Sequence, residues 1–363
     1  MTVVGIAEDS PVMMKGDAWM RGARQAAEKG VTREQVAAAT LGRVERARAD
    51  GIISEEKLAY LARQKAFAEE HDPYSMAELA GIADGFGIAF DDLFTHLHLG
   101  TLRDFANGAR LDRDGCSALA CGNGPEGPLL AKNRDFSGTH LGVQKVFRHE
   151  GADITTGAML CIGSLGSPGA YSSGMNAAGL LLADTQIGAR AHRVGWLRYF
   201  LMNRLLATCS TVDEAIAFVR AVPHAGGGTL VLADAGGVVA SIELSANAVA
   251  VERGGIARRT NHFVSEELAD ETLETEDDRI SSTSRKRFAY LDRVLPRIAW
   301  TVADLMQIMA RHEDDEPGGA PVCQHAHDGG AQTISSAVYS SRDRCLYFHE
   351  GNPCLGNWKR FHL

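Results

Sequence analysis

A glycine–cysteine pair, Gly115 and Cys116, lies where a region with helix-like patterns gives way to short strand-like runs. A cysteine thiol that acts as an acyl-transfer nucleophile needs a base and a group that stabilises the oxyanion. No histidine stands at an obvious partner spacing, whereas Asp135 follows Cys116 by nineteen residues, after a GNGPEGP turn. Strands on either side of such a turn pair with each other, so the thiol and the carboxylate are expected to lie side by side.

A cysteine at a chain N-terminus carries its own base, because its α-amino group can take the thiol proton. The ordinary pKa of an α-amine is about 7.7–8.0 and that of the thiol about 8.5, so both groups work near neutral pH. A preceding glycine tolerates strained backbone and lets the thiol approach its carbonyl. The pair therefore predicts self-cleavage between Gly115 and Cys116, which would free the cysteine amine.

The elements on the two sides of this pair are predicted to differ. Thr32 with Gln35, and Ser75 with Glu78, form capping-box patterns that predict helices in a region extending to about residue 110. Beyond the pair, short apolar runs separated by Gly and Asn are typical of strands. Later helices are expected near 194–206, 211–222, 284–297 and 301–311, and hairpins near 229–245 and 333–351. This order indicates an α+β protein with sheets covered by helices.

Several motifs, in one order along the chain, resemble the N-terminal-nucleophile amidases, the class of penicillin V acylase and bile-salt hydrolase. The resemblance is closest to the bacterial relatives of isopenicillin-N acyltransferase, and it covers about residues 75–355. It implies a four-layer αββα sandwich with a helical N-terminal pro-segment. The motifs are ELAGIADGFGIAFDDL, Gly115-Cys116, GPLLAKNRDF, SSGMNAAGLLLADTQ, Arg259-Thr-Asn-His-Phe263, Ser282-Thr-Ser-Arg-Lys-Arg287, Cys323-Gln-His325 and a final GNPC.

The resemblance assigns roles to the matching residues. Cys116 is the nucleophile with its freed amine as the base, and Asp135 holds that amine in place. Asn261 supplies a side-chain N–H to the oxyanion. Arg285 supports the nucleophile from a helix start, and Arg287 is the alternative for this role.

Weaker matches lie nearby. Gln186 stands where bile-salt hydrolases carry a second oxyanion-hole asparagine, and Ser284 precedes the arginine of the helix-start motif. Lys132 stands where bile-salt hydrolases and acid ceramidase carry arginine, with Arg134 next to the aspartate. Lysine keeps the charge but lacks the bidentate fork of arginine, which weakens the case for a substrate carboxylate as in bile-salt hydrolases.

The resemblance implies a heterodimer of an α chain, 1–115, and a catalytic β chain, 116–363. Its reaction is attack of the Cys116 thiolate on a non-peptide amide of a small molecule, giving an acyl-thioester that water or an acceptor amine resolves. No cofactor and no metal are needed for this chemistry. The sequence does not separate hydrolase from acyltransferase, and it leaves the acyl group, the amine and homo-oligomerisation open.

Composition excludes other classes of protein. A net charge of −9 without a long Lys/Arg block argues against binding to nucleic acids or anionic membranes. No apolar run approaches the roughly 20 residues that span a bilayer, and the first residues lack a signal-peptide pattern. The seven scattered cysteines include no CxxC pair, which predicts free thiols and a cytoplasmic location.

Two alternatives remain open. One is a non-enzymatic or metal-binding protein on the same fold, because alternate residues of an extended segment point the same way. The other is a cysteine peptidase with a Cys–His dyad. His96 and His98 are not expected to bind a metal, since residues two apart on a helix do not share a face. The ligands in the metal-binding alternative are Cys323, His325, His327 and Asp328.

Overall fold

The computed structural model describes residues 6–108, 115–274, 279–297, 300–326 and 331–363. The helices are α1 (Ala18–Arg24), α2 (Arg33–Ala39), α3 (Leu41–Ala49), α4 (Glu55–His71), α5 (Pro73–Phe86), α6 (Phe90–Phe105), α7 (Arg198–Thr208), α8 (Val212–Ala221), α9 (Arg279–Val294) and α10 (Val302–Met309). The strands are β1 (Ala7–Glu8), β2 (Val12–Lys15), β3 (Gly115–Gly124), β4 (Gly127–Phe136), β5 (Gln144–Glu150), β6 (Met159–Ser164), β7 (Ser173–Asn176), β8 (Leu181–Gln186), β9 (Gly228–Ala233), β10 (Val239–Leu244), β11 (Val249–Gly254), β12 (Ile256–Arg259), β13 (Gln332–Ser340), β14 (Cys345–Glu350) and β15 (Lys359–His362).

The described strands form two sheets that pack face to face. One runs in the order β1-β15-β14-β13-β4-β3-β12 and the other in the order β11-β10-β9-β8-β7-β6-β5-β2. An apolar core fills the space between them. The helices α9 and α10 cover the outer face of the first sheet, while α7, α8 and the N-terminal helices cover the second. The layer order confirms the predicted α+β, four-layer αββα sandwich.

Strand β3 shows how the sequence produces these layers. Ala118 and Ala120 lie in the core between the sheets, whereas Leu119 and Cys121 lie under α9 and α10. Successive side chains of a strand point to opposite faces, and here both faces are covered, so the run from Ala118 to Cys121 is apolar on both faces. The same alternation directs Cys116 toward the space between the sheets.

The N-terminal region is part of both sheets. Strand β1 pairs in parallel with β15, and β2 pairs in parallel with β5. Helices α1 and α5 touch at Gly22 and Gly81, where an added Cβ would lie 2.0 Å from the facing backbone oxygen. The sequence predicted only helices in this region, because strands of two and four residues are too short to show an alternating pattern.

The predicted helix starts have two outcomes. The capping box of Thr32 and Gln35 is present with both of its hydrogen bonds. The prediction for Ser75 is wrong, because Pro73 occupies the first turn and Asp72 caps the helix by accepting from the Ser75 N–H. Pro is favoured at that position since the missing N–H has no partner there anyway. The hairpins β9–β10 and β13–β14 are present as predicted.

Because α5 begins at Pro73, Glu78 lies inside the helix and is buried. Its Oε1 accepts from the Gly169 N–H at 3.0 Å, and Arg21 lies 3.9 Å from its Oε2. Burial raises the pKa of Glu78 to about 7, although Arg21 favours the carboxylate. The folded state therefore keeps a proton that the unfolded chain has released between pH 4.5 and 7.

This proton predicts a pH-dependent effect of Glu78→Gln. The free energy of unfolding of the parent chain loses a contribution as pH rises from 4.5 to 7, and the glutamine chain does not. The variant should therefore gain on the parent by up to roughly 1.4 kcal/mol per pH unit across that window. Urea unfolding at several pH values, with both chains carrying Cys116→Ala so that each unfolds as one polypeptide, measures the difference. A pH-independent difference would contradict the prediction.

Candidate active site

Cys116 is the second residue of β3, and only 3% of it is exposed. Its backbone N–H donates to Asn261 Oδ1 at 3.0 Å, and its carbonyl accepts from the Arg287 guanidinium. In the β3–β4 register, Cys116 opposes Arg134 and Gly115 opposes Asp135. The peptide bond between Gly115 and Cys116 thus runs beside Asp135, and its nitrogen is bound by a side chain from a distant loop.

Asn261 lies just after β12. Its Oδ1 accepts from Cys116 N and from Arg287 Nη2, at 3.0 and 2.8 Å, and its Nδ2 donates to the carbonyl of Gln186 at 2.8 Å. Donors on one side and an acceptor on the other fix which way the amide faces. Gln186 therefore reaches Asn261 through its main chain, while its side-chain amide packs against Gly100 of α6.

Ser284 fixes the loop that carries Asn261. Its hydroxyl accepts from the Asn261 N–H at 2.8 Å and contacts His262 Nδ1 at 2.7 Å. It also donates to Thr260 Oγ1 at 3.0 Å. Ser284 thus lies next to Asn261 and fixes its backbone.

The arginine at Cys116 is Arg287, not Arg285, which corrects the first expectation from the sequence. The Arg285 side chain is 63% exposed and pairs with Glu274 on the surface. Arg287 is fully buried and donates to Ser117 Oγ at 2.9 Å as well as to Cys116 and Asn261. Residues two apart on a helix lie about 200° apart, so one side chain of α9 faces β3 and the other faces outward.

Lys132 and Arg198 bring two buried positive charges toward the thiol. Lys132 donates to the carbonyl of Asp184 and lies 3.2 Å from its Oδ1, while Arg198 Nε donates to the Asp184 Oδ2 at 2.8 Å. Burial opposes a charged Lys132, but its contacts with Cys116 and Asp184 outweigh burial and raise the pKa of the ammonium. Lys132 thus lies against the Cys116 side chain. The sequence did not single out Asp184 or Arg198.

Asp135 lies on the helix-facing side of β4. Its Oδ1 accepts from Thr333 Oγ1 at 2.6 Å and its Oδ2 from Gln324 Nε2 at 2.8 Å. Burial raises the pKa of Asp135, although Arg287 and both hydrogen bonds favour the carboxylate. Two fixed donors therefore set the orientation of this carboxyl group beside Gly115.

Arg134 points away from Asp135 because the two residues are neighbours on a strand. Its guanidinium lies over the ring of Tyr171 at 4.7 Å, and Tyr171 stacks on Tyr199 at 4.3 Å. These rings border a cleft between the N-terminal region and the strands that follow Cys116. The residues that line this cleft include Gly100, Tyr171, Gln186, Arg198 and Tyr199. Gln186 and Arg198 connect the cleft to Asn261 and Asp184.

The histidines considered as metal ligands lie in different parts of the structure. His96 and His98 are buried in α6, where burial lowers the pKa of His98 to about 4 and its Nδ1 bonds the Phe94 carbonyl. Cys323 and His325 are described and lie close together. The other two residues of the metal-binding alternative, His327 and Asp328, lie outside the described residues.

Comparison with known families decides the class of protein. The family model for acyl-coenzyme A:6-aminopenicillanic acid acyl-transferase matches residues 122–354, which is more than half of the chain. The chain belongs to this family. Membership in this acyl-transferase family supports an enzyme that acts on amides. Across the described residues, no helix has both the length and the apolar character needed to cross a membrane.

The solved structures that match the chain are distant in sequence. A variant of the conjugated bile acid hydrolase from Clostridium perfringens is 12% identical, with a TM-score of 0.44, over 65% of this chain and 89% of that chain. The Caenorhabditis elegans ortholog of N-acylethanolamine-hydrolyzing acid amidase is 12% identical, with a TM-score of 0.44, over 62% and 93%. Penicillin V acylase from Agrobacterium tumefaciens is 13% identical, with a TM-score of 0.29, over 65% and 74%. No curated protein matches the chain.

The two arginines of α9 provide a matched test of the site. Arg287→Ala should slow both self-cleavage and amide turnover by at least about tenfold, since a hydrogen bond to a charged group contributes about 1.5–3 kcal/mol. Arg285→Ala removes a surface ion pair and should leave both rates near the parent value. Intact-mass time courses and a turnover assay measure the effects, with thermal melting as the check on folding. Equal loss in the two variants, or no loss for Arg287→Ala, would contradict this assignment.

Proposed function

We propose that this member of the acyl-transferase family is an N-terminal-nucleophile enzyme that activates itself by cleavage and then acts on small linear amides. The observation that carries the proposal is the hydrogen-bonded set around Cys116. Asn261 Oδ1 accepts from its nitrogen, and Arg287 donates to its carbonyl and to Asn261. In this proposal the uncut chain is the precursor of an α chain, 1–115, and a β chain, 116–363.

Self-cleavage starts with attack of Cys116 Sγ on the carbonyl carbon of Gly115. The C–N bond breaks, the nitrogen takes the thiol proton and becomes the α-amine, and a thioester links the two residues. Water then hydrolyses the thioester, which gives the Gly115 carboxylate and restores the thiol. The hydrogen bond from Cys116 N–H to Asn261 Oδ1 supports this step, because the same oxygen can accept a hydrogen bond from the new amine. Asp135 lies on the neighbouring strand β4, directly opposite Gly115 in the register.

In turnover, the freed α-amine takes the thiol proton, and the Cys116 thiolate attacks the amide carbonyl of the substrate. Lys132, which lies against this side chain, favours the thiolate by its charge. The developing oxyanion is assigned to the Nδ2 group of Asn261. The leaving amine departs with the proton from the α-ammonium, and the acyl group stays on sulfur. Water hydrolyses the thioester, or an acceptor amine takes the acyl group.

The surroundings of His262, which follows Asn261 in the sequence, favour the freed α-amine over a histidine as the base. His262 Nδ1 lies 2.7 Å from Ser284 Oγ and 3.3 Å from Thr260 Oγ1, so this ring atom is engaged by α9 and by its own loop. Burial, together with the nearby charges of Arg285 and Arg287, lowers the pKa of His262 to about 4. A free α-amine, with an ordinary pKa of about 7.7–8.0, is better matched to catalysis near neutral pH.

The cleft beside Asn261 is the proposed substrate site. It is bordered by the stacked rings of Tyr171 and Tyr199 and by Arg198, which shares Asp184 with Lys132. The family description names acyl-coenzyme A and 6-aminopenicillanic acid as the partners of an acyl transfer. Two of the similar structures are named as a conjugated bile acid hydrolase and an N-acylethanolamine-hydrolyzing acid amidase. Both reactions pass through the same acyl-enzyme, so either fits the proposed mechanism.

The proposal also covers assembly and location. Strands β1 and β2 add the N-terminal region to both sheets, which favours an α chain that stays bound after the cut. All seven cysteines are free thiols, which supports a cytoplasmic location.

Replacement of the nucleophile tests self-cleavage. The parent protein should give two polypeptides, 1–115 and 116–363, and Cys116→Ala should remain one, because no thiol is left to attack Gly115. Cys121→Ala is the matched control, since Cys121 is a buried cysteine of the same strand whose Sγ faces the Leu129 carbonyl. Intact-mass spectrometry of the purified proteins distinguishes the products. Two polypeptides from Cys116→Ala would assign the cut to a contaminating protease.

A further inference from the structure

Two cysteines and two histidines converge next to the loop that holds Asp135. One donor atom of each lies within 4.8 Å of the donor atoms of the other three. They come from three segments: the turn after α10, the loop before β13 and the turn after β14. The four residues are His312, Cys323, His325 and Cys354.

The three separations from His325 are close to those of a tetrahedral metal site. His325 Nε2 lies 3.1 Å from His312 Nε2, 3.4 Å from Cys354 Sγ and 3.8 Å from Cys323 Sγ. A tetrahedral zinc ion with bonds of about 2.0–2.1 Å to nitrogen and 2.3 Å to sulfur sets its ligand atoms about 3.3–3.8 Å apart. Little movement of these side chains would therefore be needed to surround one ion.

Neighbouring groups suit the ligands to this role. His312 Nδ1 faces Asp315 Oδ1 at 3.5 Å, which leaves Nε2 directed at the cluster. The Asn352 amide donates to Cys323 Sγ at 3.4 Å. Metal-binding histidines commonly present their second ring nitrogen to a carboxylate, and such outer contacts orient the ligands.

We propose that His312, Cys323, His325 and Cys354 bind one Zn²⁺ ion in a structural site. Thiolate and imidazole ligands select zinc over Mg²⁺ and Ca²⁺, which prefer oxygen. Four protein ligands close the coordination sphere, as in structural rather than catalytic zinc sites. His312 and Cys354 thus complete a cluster of which the sequence pattern indicated only Cys323 and His325.

The ion would fix the groups that hold Asp135. Gln324 lies between two of the ligands, and its Nε2 donates to the Asp135 carboxylate. Its backbone N–H donates to Thr333 Oγ1 at 2.9 Å, and that hydroxyl donates to the other oxygen of Asp135. Zinc would therefore support maturation and turnover. This consequence rests on the proposed function, whereas the binding of zinc is independent of it.

Metal analysis of the full chain tests the site. Protein purified under reducing conditions, supplied with ZnCl₂ and dialysed, should retain about one zinc per chain. The double variant Cys323→Ala/Cys354→Ala should retain none, and Cys209→Ala, which removes a buried cysteine from another core, should retain the parent amount. His312→Gln changes a partly exposed ligand and should weaken zinc binding at least about tenfold, which gives a second variant if the double variant does not fold.

Cobalt provides a readout of geometry. Co²⁺ in the parent chain should give the visible absorption of a tetrahedral thiolate site, and His312→Gln should weaken it. Zinc retention by the parent no greater than by Cys323→Ala/Cys354→Ala and His312→Gln, or a Cys323–Cys354 disulfide in the reduced protein, would overturn the proposal. The same measurement on Cys116→Ala separates the two hypotheses, because that chain should bind zinc whether or not the parent cuts itself.

Discussion

A single amide oxygen, Asn261 Oδ1, connects the start of β3 to the helix that covers it. It accepts from the backbone nitrogen of Cys116 and from Arg287, whose guanidinium also reaches the Cys116 carbonyl. A flip of the Asn261 side-chain amide would place its NH₂ group against two donors and its oxygen against the Gln186 carbonyl, so the amide keeps one orientation. This constraint holds the Gly115–Cys116 bond in one position, and the surrounding residues act on that position.

Buried charges then have to be arranged around the thiol. Lys132 and Arg198 share Asp184, so each of these ions has an opposite charge although all three are removed from water. Arg287 donates to the Cys116 carbonyl, Asn261 Oδ1 and the hydroxyls of Ser117 and Thr283. Its field favours the ionised form of Asp135. The fold makes this possible because both faces of β4 are covered, which places Lys132 between the sheets and Asp135 toward the helices.

Much of this arrangement could be predicted because it is local. Cys116, Lys132 and Asp135 lie on adjacent strands joined by one turn, so their spacing in sequence sets their spacing in the sheet. Asn261 was found only through a family motif. The phase of α9 was not predictable, since it depends on a helix that begins at Arg279 and on which side packs against β3. The predicted start near residue 284 contained no signal that separates Arg285 from Arg287.

Contacts between the sheets and between distant loops were the other part that the sequence did not indicate. Asp184 and Arg198 approach Lys132 only because the two sheets stack. His312 and Cys354 meet only after the turn that follows α10 and the turn that follows β14 have folded. Neither contact leaves a periodic pattern in the chain. The α+β fold class could be predicted without these contacts, because alternation, glycine turns and helix caps are repeated many times along the sequence.

The identity of the acylated residue tests the mechanism most directly. A small activated ester acylates an activated thiol without depending on the natural acyl group, and peptide mass spectrometry then locates the acyl group among the seven cysteines. We expect the label on Cys116, at the N-terminus of the 116–363 chain, and its removal by hydroxylamine or an acceptor amine. A label on another cysteine in the folded protein, or an equal rate for Cys116→Ala, would contradict an enzyme that works through this thiol.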